Sequence, residues 1–203
     1  MAERQQRDGR TTDTRQLILK EAEKLYDAGG YDNISLQVIA DHLNMSKAAL
    51  FHHFKNKREL FYEMILMIIA HMRAMFEPII NGEGYSTREK LYLCMQRLAE
   101  EPTFDIMRFL REDFPRLEPE QQQRSGKVWR TFTVEMIESI FQEGIDRAEL
   151  REHNVMLSTV LFLNTSILLP HIDNPMGEQM SGESREQYIN TLLDMLLEGL
   201  NKK

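Results

Sequence analysis

Cysteine, proline and glycine are all scarce in this sequence of 203 residues. It contains one cysteine, six prolines and ten glycines. The lone Cys94 excludes an internal disulfide framework and is usual for a protein of a reducing cytosol. Few helix breakers, and little strand-like alternation of Val, Ile and Thr, favour an all-α protein over a β-sheet protein.

Long apolar runs are also lacking. The first residues are polar and carry no apolar signal core. Residues 154–169 have no charged side chain, but this run is too short for a membrane span and includes Ser and Thr. We therefore expect a soluble cytoplasmic protein with no membrane partner.

The net charge is −7, which at first argues against a nucleic-acid partner. The distribution matters more than the sum. Residues 1–60 carry ten Lys and Arg against nine Asp and Glu, whereas the remainder carries 15 against 23. The acidity therefore belongs to the second region, and the first region remains a candidate for binding DNA.

Two short helices separated by a tight turn are predicted within residues 35–54. Ser35 and Ser46 stand where N-caps are needed, each before apolar residues at helical spacing. Asn44 tolerates the left-handed backbone conformation that a turn between them needs. This is the helix-turn-helix pattern, whose second helix enters the major groove of DNA.

The second of these helices has two contrasting faces. Leu50 and Phe54 form an inward apolar face, and the outer face is small or polar. Small alanines allow close approach to base edges, and Lys or His can donate to phosphates or guanine acceptors.

The adjacent His52 and His53 point about 100° apart on a helix and rarely chelate together, so no metal site is expected.

Residues 30–40 and 46–57 resemble the signature of the TetR family of transcriptional regulators, and the likeness is specific over residues 14–62. The resemblance implies an all-α fold of about nine helices. It places a helix-turn-helix DNA-binding domain at 1–56, with a flexible basic arm over its first eleven residues. Helix 4 then joins it to a larger α-helical ligand-binding and dimerisation domain at 57–203.

The resemblance also implies which residues meet DNA. The predicted contacts are Ser35, Gln37, Ser46, Lys47, Ala48, Ala49, Phe51, His52, His53 and Lys57. Gln37, Lys47 and Ala48 match base-facing positions. Ala49, Phe51, His52 and His53 match positions that mostly meet phosphate or sugar, and Lys57 matches a phosphate anchor. Phe51 stands where the family usually has Tyr and Ala49 where a hydroxyl is common, which weakens the expected backbone anchoring.

The helix spans follow from the periodicity and the breakers. Helix 1 is expected from near Thr12 or Thr14 to Gly29-Gly30, and helix 4 from Lys57 to about Phe76, ended by Pro78. The later helices are expected at 86–101, 103–113, 120–146, 153–169 and 184–201.

The last two helices carry more apolar surface than one chain readily covers. In the TetR family the corresponding helices form a four-helix bundle across a two-fold axis, which implies a homodimer; the alternative is an ordinary core within one chain. The predicted dimerisation residues are Leu157, Leu161, Leu168, Leu192 and Leu196.

The middle helices are rich in Met and aromatic residues, which make adaptable linings. By the same resemblance they surround an effector, whereas a plain hydrophobic core is the competing interpretation. The predicted lining residues are Phe104, Met107, Phe109, Trp129, Phe132, Met136 and Phe162.

The sequence thus predicts a DNA-binding regulator, a repressor released from a pseudo-palindromic operator by a small lipophilic effector, with no cofactor. One alternative is a DNA-binding factor controlled by a protein partner or by no effector. An alternative of another class is a small all-α enzyme. It is disfavoured because the histidines are scattered, no HExxH motif occurs and Cys94 lacks a helper, so no catalytic residue is predicted.

Overall fold

The computed structural model describes residues 2–100, 108–166 and 184–198, with side chains from residue 13 onward. Its α-helices are α1 (Ala2–Asn33), α2 (Leu36–His42), α3 (Lys47–His53), α4 (Lys57–Ile80), α5 (Thr87–Glu100), α6 (Pro119–Trp129), α7 (Glu135–Asp146), α8 (Val155–Ser166) and α9 (Arg185–Leu197). Phe109–Asp113 and Arg130–Val134 are π-helical, and Phe114–Arg116 is a 3-10 turn. The described ranges contain no β-strand, and the predicted all-α fold is confirmed.

The chain divides into two compact units. The N-terminal unit comprises residues 1–68 and 104–128, and the C-terminal unit comprises residues 69–103 and 129–203. Helix α4 therefore contributes its first half to one unit and its second half to the other. The predicted boundary after residue 56 concerns functional domains and stays a prediction.

Helix α1 begins at Ala2, earlier than the expected start near Thr12 or Thr14. Its helical path is interrupted at Gly29 and Gly30, as predicted. Gly30 has φ 75° and ψ −166°, a combination that is essentially restricted to glycine. The last five residues of α1, Gly29–Asn33, begin at this interruption and are here called the connector.

The sequence predicted that helix α4 ends near Phe76. In the structure the helix continues through Pro78 to Ile80. Proline removes one backbone hydrogen bond and is most costly in a helix interior. Pro78 lies in the last turn, where few bonds remain to be disturbed. The N–H of Asn81 still donates to the carbonyl of Glu77 at 3.0 Å, which closes the helix beyond the proline.

The N-terminal unit is built around an apolar core to which α1, α2, α3 and α4 all contribute. Its fully buried large side chains include Ile18, Tyr26, Ile34, Ile39, Leu50, Phe54, Leu60, Phe61 and Met64. Phe61 is the centre of an aromatic cluster, with ring centroids 5.6 Å from Tyr26, 4.9 Å from Tyr31 and 6.4 Å from Phe109. Phe109, although distant in sequence, is therefore part of the same core.

The C-terminal unit has its own core, formed by the end of α4 with α5, α7, α8 and α9. The ammonium of Lys90 is buried there, and it donates to the carbonyl of Ile80 and to Glu143, both at 2.7 Å. A buried charge is tolerated when it is paired and hydrogen-bonded in this way. Burial raises the pKa of the neighbouring Cys94 thiol to about 12.

The expected helices after α4 mostly match. Residues 86–101 correspond to α5, and the span 120–146 corresponds to α6 and α7 joined by the π-helical segment. The spans 153–169 and 184–201 correspond to α8 and α9 as far as the described residues extend. The span 103–113 is described only from residue 108, where it is π-helical from Phe109. No described helix is long and apolar enough to cross a lipid bilayer.

Candidate nucleic-acid interface

Helices α2 and α3 form the predicted helix-turn-helix. The hydroxyl of Ser35 accepts a hydrogen bond from the N–H of Val38 at 3.4 Å, and that of Ser46 accepts from Ala49 at 3.1 Å. Asn44, in the turn between the helices, has φ 51°. Both predicted caps and the left-handed turn residue are confirmed, so local sequence signals fix the relative path of the two helices.

Helix α3 buries one face and exposes the other. Leu50 and Phe54 are completely buried, as predicted. The exposed side chains are those of Lys47, Ala48, Ala49, Phe51 and His52. Phe51 is 40 % exposed, and the ammonium of Lys47 lies 5.9 Å from its ring centroid. Apart from Phe51, the exposed side chains of α3 are small or polar, and Lys47 adds a positive charge.

Arg15 of α1 holds the C-terminal end of α3. Its guanidinium donates to the carbonyl of His53 at 2.8 Å and lies 4.3 Å from the ring centroid of Phe54. A cation at a helix C-terminus is favourable because the last carbonyls lack intrahelical partners. Burial, together with the charges of His52 and Arg15, lowers the pKa of His53 and favours its neutral form. Sequence analysis missed this role of Arg15.

Helix α2 is tied to α1 by polar contacts. Nδ1 of His42 lies 2.8 Å from Glu21, which also accepts a hydrogen bond from Lys24 at 2.9 Å. These two hydrogen bonds lower the pKa of the Glu21 carboxyl. On the exposed side of α2, the amide of Gln37 donates to Asp41 at 2.9 Å, so this predicted base-facing residue is already hydrogen-bonded within its own helix.

Lys57, the predicted phosphate anchor, is half-buried at the start of α4. Its ammonium donates to the carbonyl of Asp32 at 3.1 Å and lies 4.6 Å from the ring centroid of Tyr31. Burial is the main cause that lowers its pKa, and the charge of Arg116 acts in the same direction. Lys57 is therefore held against the connector, and its contact with DNA stays a prediction.

The connector itself is held by residues that sequence analysis did not identify. Asp32 forms an ion pair with Arg116, and the backbone N–H of Tyr31 donates a hydrogen bond to the buried carboxylate of Asp113. Arg58, next to Lys57, forms a second ion pair with Glu118. These partners are separated by long stretches of sequence, so no local pattern in the chain could have indicated them.

The predicted effector-lining residues are distributed over both units. Phe109 is buried in the N-terminal unit, where its ring lies 5.6 Å from that of Phe114. Trp129, Phe132 and Met136 are half-buried in the C-terminal unit, and Phe162 is completely buried in its core. Phe104 and Met107 lie outside the described residues. The effector-binding role of this set therefore stays a prediction.

The predicted dimerisation residues fall into two groups. Leu157 and Leu161 are 56 % and 48 % exposed on α8, and Met156 and Val160 extend the same exposed apolar stripe. Leu192 and Leu196 of α9 are half-buried and pack against the core of the C-terminal unit. Leu168 lies outside the described residues. The stripe on α8 is thus an apolar surface that the described residues of its own unit leave exposed.

The side chains that could bind a metal ion are dispersed in the described part of the chain. No three His, Cys, Asp or Glu side chains there are grouped so that they could share an ion. The rings of His52 and His53 are nearly perpendicular, with centroids 5.8 Å apart.

The comparisons with known proteins agree with this geometry. The family model for bacterial regulatory proteins of the tetR family matches residues 18–64, which include α2 and α3. Over 96 residues the chain is 32 % identical to the "Probable acrEF/envCD operon repressor" of Escherichia coli (strain K12). This alignment takes in 44 % of the chain and 42 % of that protein, so the chain matches less than half of the length of its curated relative.

Among solved structures, the TetR-family transcriptional regulator PfmR from Thermus thermophilus is 26 % identical, with a TM-score of 0.67. That match covers 92 % of this chain and 96 % of the other. AibR, solved in complex with isovaleryl coenzyme A and operator DNA, shares the fold at 22 % identity and a TM-score of 0.65, covering 89 % of this chain and 96 % of that one. Residues 18–64 of the chain match the tetR family of bacterial regulatory proteins, and the chain has the fold of TetR-family regulators.

Proposed function

We propose that this protein is a sequence-specific DNA-binding regulator, and that it represses transcription from a pseudo-palindromic operator. The observation that carries the proposal is the two-faced helix α3. Leu50 and Phe54 fix it to the unit, while Lys47, Ala48 and Ala49 remain exposed. The small side chains let the helix approach base edges in the major groove, and Lys47 can donate to guanine O6 and N7. Repression is favoured by the name of the E. coli relative.

The predicted DNA contacts divide by the chemistry of their side chains. Gln37 and Lys47 can read base edges, whereas His52 and Lys57 are suited to phosphate. Lys57 also stands at the N-terminus of the 24-residue helix α4, where the helix dipole favours a phosphate. Phe51 adds apolar contact to sugar or base but cannot supply a phenol hydrogen bond.

A homodimer is the second part of the proposal. The stripe of Met156, Leu157, Val160 and Leu161 is exposed, and a contiguous apolar surface of this kind favours burial against another protein surface. A second copy of the chain is a suitable partner, because two recognition helices about 34–36 Å apart read the two halves of a palindromic site.

We also propose that a small lipophilic effector releases the operator. The half-buried Trp129, Phe132 and Met136 offer apolar contacts to such a molecule. The buried hydroxyls of Thr133 and Thr159 in the C-terminal unit have no hydrogen-bond partner among the described residues, so a polar group of a ligand or a water molecule would be stabilised there. The complex of AibR with isovaleryl coenzyme A makes acyl-coenzyme A one chemistry to test.

The experiment that tests DNA binding is a selection of bound duplexes from a random pool, followed by affinity measurements on the recovered sequence. Lys47→Ala is expected to change the preferred bases as well as the affinity. Lys57→Ala is expected to weaken binding to all sequences alike and to lower the salt slope by about one. Lys127→Ala, at an exposed lysine of α6, is the matched control and should bind like the unaltered chain.

Two outcomes would contradict this function. One is that the unaltered chain prefers no duplex at moderate ionic strength; the other is that neither Lys47→Ala nor Lys57→Ala alters binding. For the effector, isovaleryl coenzyme A would be added to the complex with the recovered duplex, and so would stearoyl coenzyme A, which is bound in the solved structure of FadR from Bacillus subtilis. If neither molecule, nor a wider set of lipophilic compounds, releases the DNA, control by a protein partner or by no effector is favoured.

A further inference from the structure

The connector Gly29–Asn33 lies against residues 108–116 within the N-terminal unit. The buried carboxylate of Asp113 accepts a hydrogen bond from the hydroxyl of Tyr26 at 2.9 Å and from the N–H of Tyr31 at 3.4 Å. A Cβ placed on Gly30 would lie 3.3 Å from the guanidinium of Arg108 and 3.4 Å from Asp113. The connector backbone thus approaches this segment closely, and Gly30 permits the approach.

Arg116 fixes the outer side of the connector. Its two terminal nitrogens donate to the two carboxylate oxygens of Asp32 at 3.0 and 2.7 Å. Two parallel bonds of this kind define the orientation of both side chains, which a single contact does not. The guanidinium also lies 5.1 Å from the ring centroid of Tyr31.

Lys57 contacts the same two connector residues as Arg116. It donates to the carbonyl of Asp32 at 3.1 Å and lies 4.6 Å from the Tyr31 ring centroid. We call Tyr31 and Asp32 the connector platform. Arg116 and Lys57 both contact this platform. A displacement of Asp32 after loss of Arg116 would therefore also displace the carbonyl to which Lys57 donates.

We propose that Arg116 is a positioning residue for DNA binding, which acts by holding the connector platform and, through it, Lys57 at the start of α4. This inference rests on the proposed DNA-binding function. It extends the determinants of DNA affinity to a residue outside residues 18–64, the region that the family model matches.

The ion pair between Arg116 and Asp32 is exposed, so we expect it to position the connector platform rather than to stabilise the fold. The side chains of Arg116 and Asp32 are 41 % and 73 % exposed, and ion pairs at such exposure contribute little to folding. Nε of Arg116 also donates to the carbonyl of Glu112 at 3.3 Å and lies 4.0 Å from the buried Asp113, which keeps its hydrogen bonds from Tyr26 and Tyr31 when Arg116 is removed. The ion pair nevertheless orients the residues directly before Ser35, the N-cap of α2. Its loss should therefore affect DNA binding more than the stability of the unit.

The test uses the full chain and the duplex recovered from a random pool by the unaltered protein. Arg116→Ala is expected to weaken binding about fivefold while the thermal unfolding midpoint hardly changes. Arg116→Lys should show a similar loss, because lysine keeps the charge but cannot form two parallel bonds. Arg111→Ala is the matched control, since Arg111 is exposed on the same segment and pairs with its neighbour Glu112.

A double-mutant cycle tests whether Arg116 affects DNA binding through Lys57. If Arg116 acts through Lys57, then Arg116→Ala should cost less than about twofold in a Lys57→Ala background. Unchanged affinity of Arg116→Ala, an equal loss for Arg111→Ala, or the same fivefold loss in both backgrounds would each overturn the proposal. If the unaltered chain bound no duplex, the proposed function would fail as well, which is a distinct result.

Discussion

Helix α3 exposes lysine, alanine, histidine and one phenylalanine, whereas helix α8 exposes methionine, leucine and valine. Both helices bury an opposite face: Leu50 is completely buried in α3, and Phe162 is completely buried in α8. Burial therefore explains why each helix forms part of its unit, but the composition of the exposed face differs. A small, cationic face is suited to a phosphate-rich partner, and an apolar face is suited to another protein surface.

The two helices are also secured differently. The ends of α3 are held by directed polar contacts, from the hydroxyl of Ser46 at its start and from Arg15 at its end. Helix α8 has Asn154 at its start, whose side chain accepts from the N–H of Leu157 at 3.0 Å, and otherwise relies on apolar packing. Directed contacts fix the orientation of a seven-residue helix that could not be stable in isolation.

The largest expected effect comes from a substitution on the buried face of α3. Leu50→Ala should lower the free energy of unfolding by about 3 kcal/mol, because it removes buried methyl groups and leaves a cavity in the core beneath α3. Urea unfolding measures this change. The control is Leu17→Ala, at a leucine of α1 that is 55 % exposed and should cost less than about 0.5 kcal/mol. Equal losses for the two variants would contradict the burial of α3 described above.

The next effect concerns the exposed side of α8. Leu161→Glu places a charge in the apolar stripe, and it should raise the dissociation constant of the proposed dimer about 30-fold, since a buried unpaired charge is costly. Sedimentation analysis over a range of concentrations measures this constant. Gln123→Glu, at an exposed position of α6, adds the same charge and should leave the assembly unchanged. A Leu161→Glu variant that assembles like the unaltered chain would place the interface elsewhere.

The smallest expected effect concerns the polar contacts of Glu21, which tie α1 to α2. The folded protein lowers the pKa of Glu21 below its ordinary value of 4.5, so the ionised form stabilises the fold above that pH. This contribution is lost as the pH falls through the lowered pKa. Glu21→Gln should therefore flatten the loss of stability between about pH 5 and pH 3.

Urea midpoints at several acidic pH values measure this dependence. Glu83→Gln removes an exposed carboxylate near the end of α4 and serves as the control. If the two variants showed the same pH dependence, the contact between Glu21 and His42 would have no energetic role.

The sequence predicted the features of this fold that depend on neighbouring residues. Ser35, Ser46 and Asn44 were identified because a cap or a tight turn depends on a few adjacent positions. The resemblance to the TetR family located the same helices. Leu50 and Phe54 were predicted to face inward from their spacing alone, and both are buried.

The features that were missed depend on contacts between distant residues. Arg15 reaches His53 across 38 positions, and Arg116 reaches Asp32 across 84. Periodicity cannot indicate such pairs, because they follow from how the helices pack. The expected end of α4 was wrong for another reason: a proline close to a helix terminus costs less than one in the interior, so Pro78 did not stop the helix.

The burial of Cys94 has a practical consequence for spectroscopy. It is the one cysteine of the sequence, it is completely buried, and its thiol stays protonated at neutral pH. The thiolate is the nucleophile that attacks thiol-reactive dyes, so the unaltered protein should take up little label while folded. A single cysteine introduced at exposed Gln123 could then carry a spin label or fluorophore without removal of the native one. Distances between labels on two copies would report directly on the geometry of the proposed homodimer.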